Sequence, residues 1–202
     1  MTFEELRREA QSCEQCSLAK TRTNVVFGVG NPRTDLLFVG EAPGYHEDKQ
    51  GEPFVGAAGK LLDELLASIG MARSDIYIAN VLKCRPPGNR DPNPDEIELC
   101  KPFLLKQVEL IRPRVICALG NFATRLILEK NVSISRVHGQ EFRGKGYLVM
   151  PTYHPAAALY ARTTLTSIEE DFQKLKEIYA KATAAVEAPA ELEAVSEQLG
   201  LF

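Results

Sequence analysis

Residues 35–59 read DLLFVGEAPGYHEDKQGEPFVGAAG. A short apolar run, DLLFV, passes directly into residues 40–59, where five glycines and two prolines share twenty positions with Glu41, Glu47, Asp48 and Glu52. A glycine-rich turn after a strand commonly cradles phosphate, using backbone N–H groups and a Lys or Arg in the pattern G-x-x-x-x-G-K-[ST]. Here Gly56-Ala57-Ala58-Gly59-Lys60 is followed by Leu61, and four carboxylates occupy the place of a triphosphate. The loop reads as the wall of a site for something small and neutral.

Three further runs share the character of DLLFV: Ile76–Asn80 (IYIAN), Val115–Leu119 (VICAL) and Tyr147–Met150 (YLVM). Near-continuous apolar runs that stop at Gly, Asn or Pro suit parallel strands covered on both faces. Between them lie helical patterns. Ala57–Ile69 places Leu61, Leu62, Leu65, Leu66 and Ile69 on one face, with Gly70 as a stop. Asp95–Ile111 begins with an acidic turn and turns Ile97, Leu104, Val108 and Ile111 inward; Phe122–Leu128 and Ser167–Lys181 complete the set. Strands alternating with helices predict a three-layer α/β/α sandwich around a central, mostly parallel four-stranded sheet. Ligands of such sheets bind beyond the carboxyl ends of the strands. GEAPG after the first strand, Asn80 ending the second and PTYHP (151–155) after the fourth all fall there, so three distant segments converge on one crevice.

A chain of 202 residues, 25% charged and 45% apolar, has the composition of an ordinary globule. No run approaches the ~18 apolar residues of a membrane span, and the opening MTFEELRREAQSCEQC does not read as a signal peptide. The expected setting is cytoplasmic, where clustered cysteines bind metal or do redox work more often than they form disulfides. The net charge of −3 is uneven. Residues 182–202 carry Glu187, Glu191, Glu193 and Glu197 and no Lys or Arg, which leaves 24 basic against 23 acidic residues in 1–181. The acidic balance is therefore no objection to a nucleic-acid partner.

Four of the five cysteines form a spaced set, Cys13-x2-Cys16 and Cys84-x15-Cys100, while Cys117 lies within an apolar strand and reads as a packed thiol. Zinc and an iron–sulfur cluster both accept four thiolates, and spacing does not separate them. Either group would join the N-terminal segment to the loop KCRPPGNRDPNP (83–94), which has too many prolines and glycines to order itself.

GEAPG, PFVG (53–56), the strand-ending Asn80, KCRPPGNRDP and TYHPAA (152–157), with the four cysteines, resemble the family-4 uracil-DNA glycosylases over roughly residues 3–180. The resemblance implies the uracil-DNA glycosylase fold, with Cys13, Cys16, Cys84 and Cys100 holding a [4Fe–4S] cluster. It also implies a monofunctional enzyme of base excision repair that hydrolyses the N-glycosidic bond of uracil in DNA, since these motifs hold no lysine suited to Schiff-base chemistry. A base in a duplex must first be flipped out of its stack. Phe54 would stack on the extruded uracil. Asn80 would read O4 and N3–H, which cytosine presents in reverse. His154 would hydrogen-bond O2 as charge develops there, a neutral imidazole sufficing. Gly40, Glu41, Ala42, Pro43 and Gly44 would wall the pocket. Better-known uracil glycosylases read GQDPY at this point, so Ala42 stands in place of the aspartate that positions water, and Gly44 in place of the tyrosine that blocks thymine's methyl. Glu47 is the candidate for filling the tyrosine's gap, and Glu41 for ordering the loop or a water. Lys83, Arg85, Arg90 and Arg162 are candidate phosphate contacts, and Leu159 or Tyr160 a candidate wedge into the vacated stack. Two alternatives stay open: a glycosylase preferring another deaminated base such as hypoxanthine, and a non-catalytic metal-stabilised nucleic-acid-binding module.

From about Ala182 the chain becomes Ala/Glu-rich, which predicts a domain over 1–181 and a flexible acidic extension over 182–202. It ends in QLGLF. This resembles the QL-x-LF peptide by which bacterial replication and repair proteins bind the sliding clamp, with Leu201 and Phe202 entering an apolar pocket and Gln198 and Leu199 completing the motif. The expected partners are DNA containing uracil and that clamp, for a monomer acting at the nucleoid.

Overall fold

The computed structural model of the chain describes residues 1–184. The clamp-binding candidates Gln198, Leu199, Leu201 and Phe202, and almost all of the expected acidic extension, lie outside the described residues. In chain order the elements are α1 (Phe3–Gln11), β1 (Val29–Gly30), β2 (Leu36–Gly40), α2 (Tyr45–Gln50), α3 (Ala57–Ser68), β3 (Tyr77–Asn80), α4 (Pro94–Ile111), β4 (Val115–Leu119), α5 (Gly120–Leu128), α6 (Ile134–Val137), β5 (Phe142–Arg143), β6 (Leu148–Thr152), α7 (Pro155–Ala158) and α8 (Arg162–Ala184).

The sheet has six strands in the order β1-β3-β2-β4-β6-β5. The four expected strands are its parallel centre, and the two-residue strands β1 and β5 pair antiparallel at the edges. An edge of two residues has no apolar run to betray it, so the expectation of four strands becomes a mixed sheet of six. Period-two alternation then sorts the core. Leu36, Phe38, Ile78 and Cys117 face a layer made by Leu62, Leu65 and Leu66 of α3 and Phe172 and Leu175 of α8. Leu37, Val39, Tyr77, Ile116 and Ala118 face Leu104 and Ile111 of α4 and Ala123 and Ile127 of α5. Helices on both faces explain why the central strands are apolar throughout, and the architecture is the expected α/β/α sandwich. Cys117 is fully buried within it. No described helix is long and apolar enough to cross a membrane.

Two helices differ from expectation. Ile97 and Val108 of α4 are only partly buried, while the polar Glu96 and Gln107 are fully buried. The last helix begins five residues earlier than expected and runs on to Ala184; Arg114 Nη1 donates to the Ala182 carbonyl at 3.2 Å and holds that turn to the sheet.

The carboxyl end of β6 is anchored from behind. Asp171 of α8, fully buried, accepts from Thr152 Oγ1 at 2.7 Å and from His138 Nδ1 at 2.9 Å. The imidazole of His138 lies against Tyr153 with ring centroids 4.7 Å apart. α8 and the end of α6 are thus tied to the strand end that carries His154. Replacing Asp171 with Ala leaves the buried Thr152 hydroxyl and the His138 imidazole without their acceptor, and should lower stability by about 2–4 kcal/mol. Urea unfolding checks this, read as a shift of the midpoint at constant slope.

Candidate active site

β2 and β3 end side by side, with Gly40 opposite Asn80. A Cβ at position 40 would lie 2.4 Å from Asn80 Oδ1 and 3.0 Å from two ring atoms of Phe54. Only glycine allows the carboxamide and the phenyl ring to approach that closely. Asn80 is 2% exposed, and its Oδ1 has no hydrogen-bond partner among the described residues. A buried acceptor left unpaired costs about 1–3 kcal/mol, which marks the atom as one waiting for a donor.

His154 leaves the end of β6 as the N-cap of α7, and its Nδ1 accepts the Ala156 N–H at 3.2 Å. An accepting Nδ1 places the ring proton on Nε2, so the imidazole carries a donor on its free edge. Burial lowers its pKa to about 4, against the opposing pull of the Glu47 charge, and the ring is neutral at physiological pH. It rests on Phe54 with centroids 5.3 Å apart and planes 25° from parallel. At that offset the rings overlap only in part, so phenyl and imidazole form one wall.

Glu47 and Asp48 of α2 hold backbone rather than solvent. Glu47 Oε1 accepts the N–H groups of Val55 and Gly56 at 3.1 and 3.2 Å. Its other oxygen occupies the space a side chain at Gly44 would need, 2.7 Å from an ideal Cβ. Asp48 Oδ1 accepts from Thr23 N–H at 2.8 Å and ties the segment after the first cysteine pair to α2. Glu41 is different: burial, with a smaller push from the Asp91 charge, raises its pKa to about 7. A carboxyl poised near neutrality in a cleft is suited to proton transfer.

Glu41, Ala42, Pro43, Gly44, Glu47, Phe54, Asn80 and His154 line one cavity of about 470 Å³, with Arg90 among them; Gly40, expected in the wall, is not a lining residue and acts through the close approach it allows. The cavity's volume falls within the range of small-molecule sites. The three separated segments expected to converge do so here.

Residues 27–182 match the model of the uracil DNA glycosylase superfamily. Over 188 residues the chain is 51% identical to a type-4 uracil-DNA glycosylase of Archaeoglobus fulgidus, covering 89% of this chain and 94% of that one. It is 48% identical over 178 residues to one of Saccharolobus solfataricus, covering 84% and 82%. It is 46% identical over 184 residues to one of Thermotoga maritima, covering 89% and 95%. The chain belongs to the type-4 uracil-DNA glycosylases.

Cys13, Cys16, Cys84 and Cys100 line one small cavity together with Arg22 and Lys83. Arg22 Nη1 donates to Cys84 Sγ at 3.4 Å, and the Lys83 N–H to Cys100 Sγ at 3.2 Å. Burial raises the pKa of Cys100 to about 11, eased by Lys83, and raises that of Cys84 as well. Among the described residues no three His, Cys, Asp or Glu side chains are placed to share a single metal ion.

The expected phosphate contacts fare unequally. Lys83 is not on the surface. It is 2% exposed, and its Nζ donates to the Asn80 carbonyl at 2.8 Å and to Gln107 Oε1 at 2.6 Å. Burial lowers its pKa to about 8, opposed by Cys100 and Cys84. The assignment to DNA is therefore corrected: this ammonium braces the residue that carries the pocket's carboxamide. Its basic neighbours in the loop gave no hint of that, because the acceptors lie on β3 and α4. Arg90 forms an ion pair with the buried Glu96, and Arg85 Nε donates to Asn89 Oδ1 at 2.6 Å while its guanidinium lies 5.1 Å from the centre of the Tyr45 ring. Both are engaged in ordering the loop. Glu96 was legible in retrospect as the third residue after Asn93, whose N–H it accepts at 2.9 Å. Arg162, Leu159 and Tyr160 are exposed as expected, Tyr160 at 93%.

Lys83→Met removes the donor from two buried acceptors and should cost about 1–3 kcal/mol in urea unfolding. It should leave the salt dependence of DNA binding unchanged, because no phosphate contact is lost.

Proposed function

We propose that this chain hydrolyses the N-glycosidic bond of uracil in DNA and leaves an abasic site, the reaction for which its type-4 relatives are named. One observation carries the reading: the unpartnered Oδ1 of buried Asn80 at the wall of a neutral-ligand pocket. Uracil N3–H supplies the missing donor and O4 accepts from the carboxamide NH2. Cytosine, with an acceptor at N3 and an amine at C4, leaves the Asn80 oxygen unpaired and sets two donors face to face. The uracil ring packs on Phe54, sharing that wall with the imidazole.

In the reaction the C1′–N1 bond breaks with its electron pair going to the base, and negative charge grows on uracil O2. The Nε2–H of His154 donates to that oxygen, from a ring held by Ala156 and Phe54 and neutral from the start. Water oxygen bonds to C1′ and gives up a proton, which ionised Glu41 accepts in place of the carboxylate that position 42 lacks. Glu47, locked to the Val55 and Gly56 amides, fills the space over Gly44 where thymine's methyl would come.

The four cysteines fit a [4Fe–4S] cluster. They share one cavity, two N–H groups point at their sulfurs, and a buried ammonium offsets thiolate charge. Membership of the type-4 family favours the cluster over a single zinc, which four thiolates would also accept. When bound, the cluster supplies a covalent brace between residues 13–16 and the loop 84–100. DNA phosphates are met by exposed Arg162, by Arg90 at the pocket and by part-exposed Arg85, and Leu159 or Tyr160 replaces the extruded base. The terminal QLGLF serves as a sliding-clamp peptide. Deleting residues 198–202 should abolish co-elution with the clamp and leave activity on short oligonucleotides intact; loss of both together would make these residues part of the fold.

Oligonucleotides carrying uracil, hypoxanthine, xanthine or mismatched thymine, followed by alkaline cleavage, test the reading. Release of uracil alone is expected; release of hypoxanthine in preference, or of no base by brown, cluster-loaded protein, overturns it. The pH profile separates the two titrating groups. Glu41 is ionised above about 7 and His154 stays neutral down to about 4. The single-turnover rate should therefore fall as pH drops through about 7, and Glu41→Gln should lower the plateau and remove that limb.

A further inference from the structure

Phe54 holds its ring in the pocket from a backbone that side-chain-bearing residues avoid, with φ at +56°. Such a conformation persists only where the surroundings over-determine it. Besides Glu47, which holds the two amides that follow, those surroundings are one guanidinium. Arg73, in the turn Arg73–Asp75 ahead of β3, donates from Nη2 to the Phe54 carbonyl at 2.5 Å and to the Gly59 carbonyl at 3.3 Å. Its Nη1 donates to the Pro53 carbonyl at 3.3 Å, and its Nε to Asp63 Oδ1 of α3 at 2.5 Å. Gly59 completes the seat, since a Cβ there would lie 1.7 Å from the Phe54 carbonyl oxygen. Arg73 itself does not line the pocket.

We propose that Arg73 is a positioning residue for base excision, setting the Phe54 ring in the pocket wall by clamping the three carbonyls behind it. The inference rests on reading the cavity as a uracil site. A planar fork with donors spread over three nitrogens meets three carbonyls and a carboxylate at once, whereas the point charge of a lysine does not. The clamp reaches the chemistry through a single intermediary. Phe54 supports both the base and the His154 imidazole, so a displaced ring moves two of the three groups that touch uracil.

The test compares wild type, Arg73→Ala, Arg73→Lys, Phe54→Ala and the Arg73→Ala/Phe54→Ala double variant on a uracil oligonucleotide under single-turnover conditions. Circular dichroism confirms that each is folded. Arg73→Ala should lower the rate about tenfold to a hundredfold, the scale of a small misplacement in an active site. Arg73→Lys should recover part of it. Affinity for abasic DNA should not change, because no base is stacked there. In the Phe54→Ala background the Arg73 substitution should cost nothing more. A purely structural role predicts equal losses in both backgrounds, and that result, or a folded Arg73→Ala of full rate, overturns the proposal. Should Arg73→Ala fail to fold, Gly59→Ala presses on the same carbonyl from the other side. It must reproduce the rate loss and its disappearance without Phe54; a folded Gly59→Ala at full rate is equally fatal. Labelled-phenylalanine NMR separates this idea from the substrate reading. The Phe54 ring resonances should shift in Arg73→Lys even if the wild type released no uracil, and unmoved resonances would sink the clamp alone.

Discussion

The close approach of Gly40 and Asn80 governs this molecule's active site. Two parallel strands end in register, and one of the paired residues has no side chain. The carboxamide of the other can therefore lie across the strand end, within reach of Phe54. Any Cβ at position 40 would collide with both groups at once. Hydrogen bonding continues the pairing beyond the strands, from Val81 N–H to the Gly40 carbonyl and from Leu82 N–H to that of Glu41, each at 2.9 Å. The turn carrying Glu41 is thereby held to the segment that leads to the cysteine loop. Pocket and loop inherit their relation from one strand pair.

Around that contact, carboxylates do the work that helix caps and sheet ladders do elsewhere. Glu47 satisfies two amides of the Phe54 loop, Asp48 those of the segment before β1, and Glu96 both the Asn93 amide and the Arg90 guanidinium. A site that must accept polyanionic DNA gains little from acidic side chains pointing outward. Turned inward onto backbone N–H groups, the same charges are neutralised locally. Glu41 has no such partner among the described residues, and burial carries its pKa toward neutrality, as a role in proton transfer requires.

The central sheet and the converging loops were legible because their signals are local. An apolar run that ends at Gly40, or at Asn80, announces a buried parallel strand and the place where it opens onto a crevice. The edge strands β1 and β5 were not, since two residues carry no periodicity. Side-chain roles split along the same line. His154 and Asn80 sit where strand ends deliver them, so their position followed from topology and from the family motifs. Lys83 was misread because a lysine among arginines, next to a cysteine, looks like a surface cation; its acceptors are on β3 and α4, the latter 24 residues away. Gln107 and Asp171 lie on helices whose apolar faces appear complete without them, and the reason for a polar residue there is a partner from another element. Sequence periodicity records which face is buried, not which atoms meet.

Lys83 shows how the two sites are joined. Its backbone N–H faces the sulfur of Cys100, its side chain holds the carbonyl of Asn80, and its ammonium lies 5.9 Å from the centre of the Phe27 ring. A charge buried this deeply is tolerated only with compensating acceptors and nearby negative charge. Gln107 and Asn80 supply the first, and thiolates at Cys84 and Cys100 would supply the second. Deprotonated cysteines and a protonated lysine therefore stabilise each other, and each is costly alone. In the proposed reading the cysteine set need take no part in bond breaking to matter for it: by stabilising the buried ammonium, it would hold the backbone that carries Asn80.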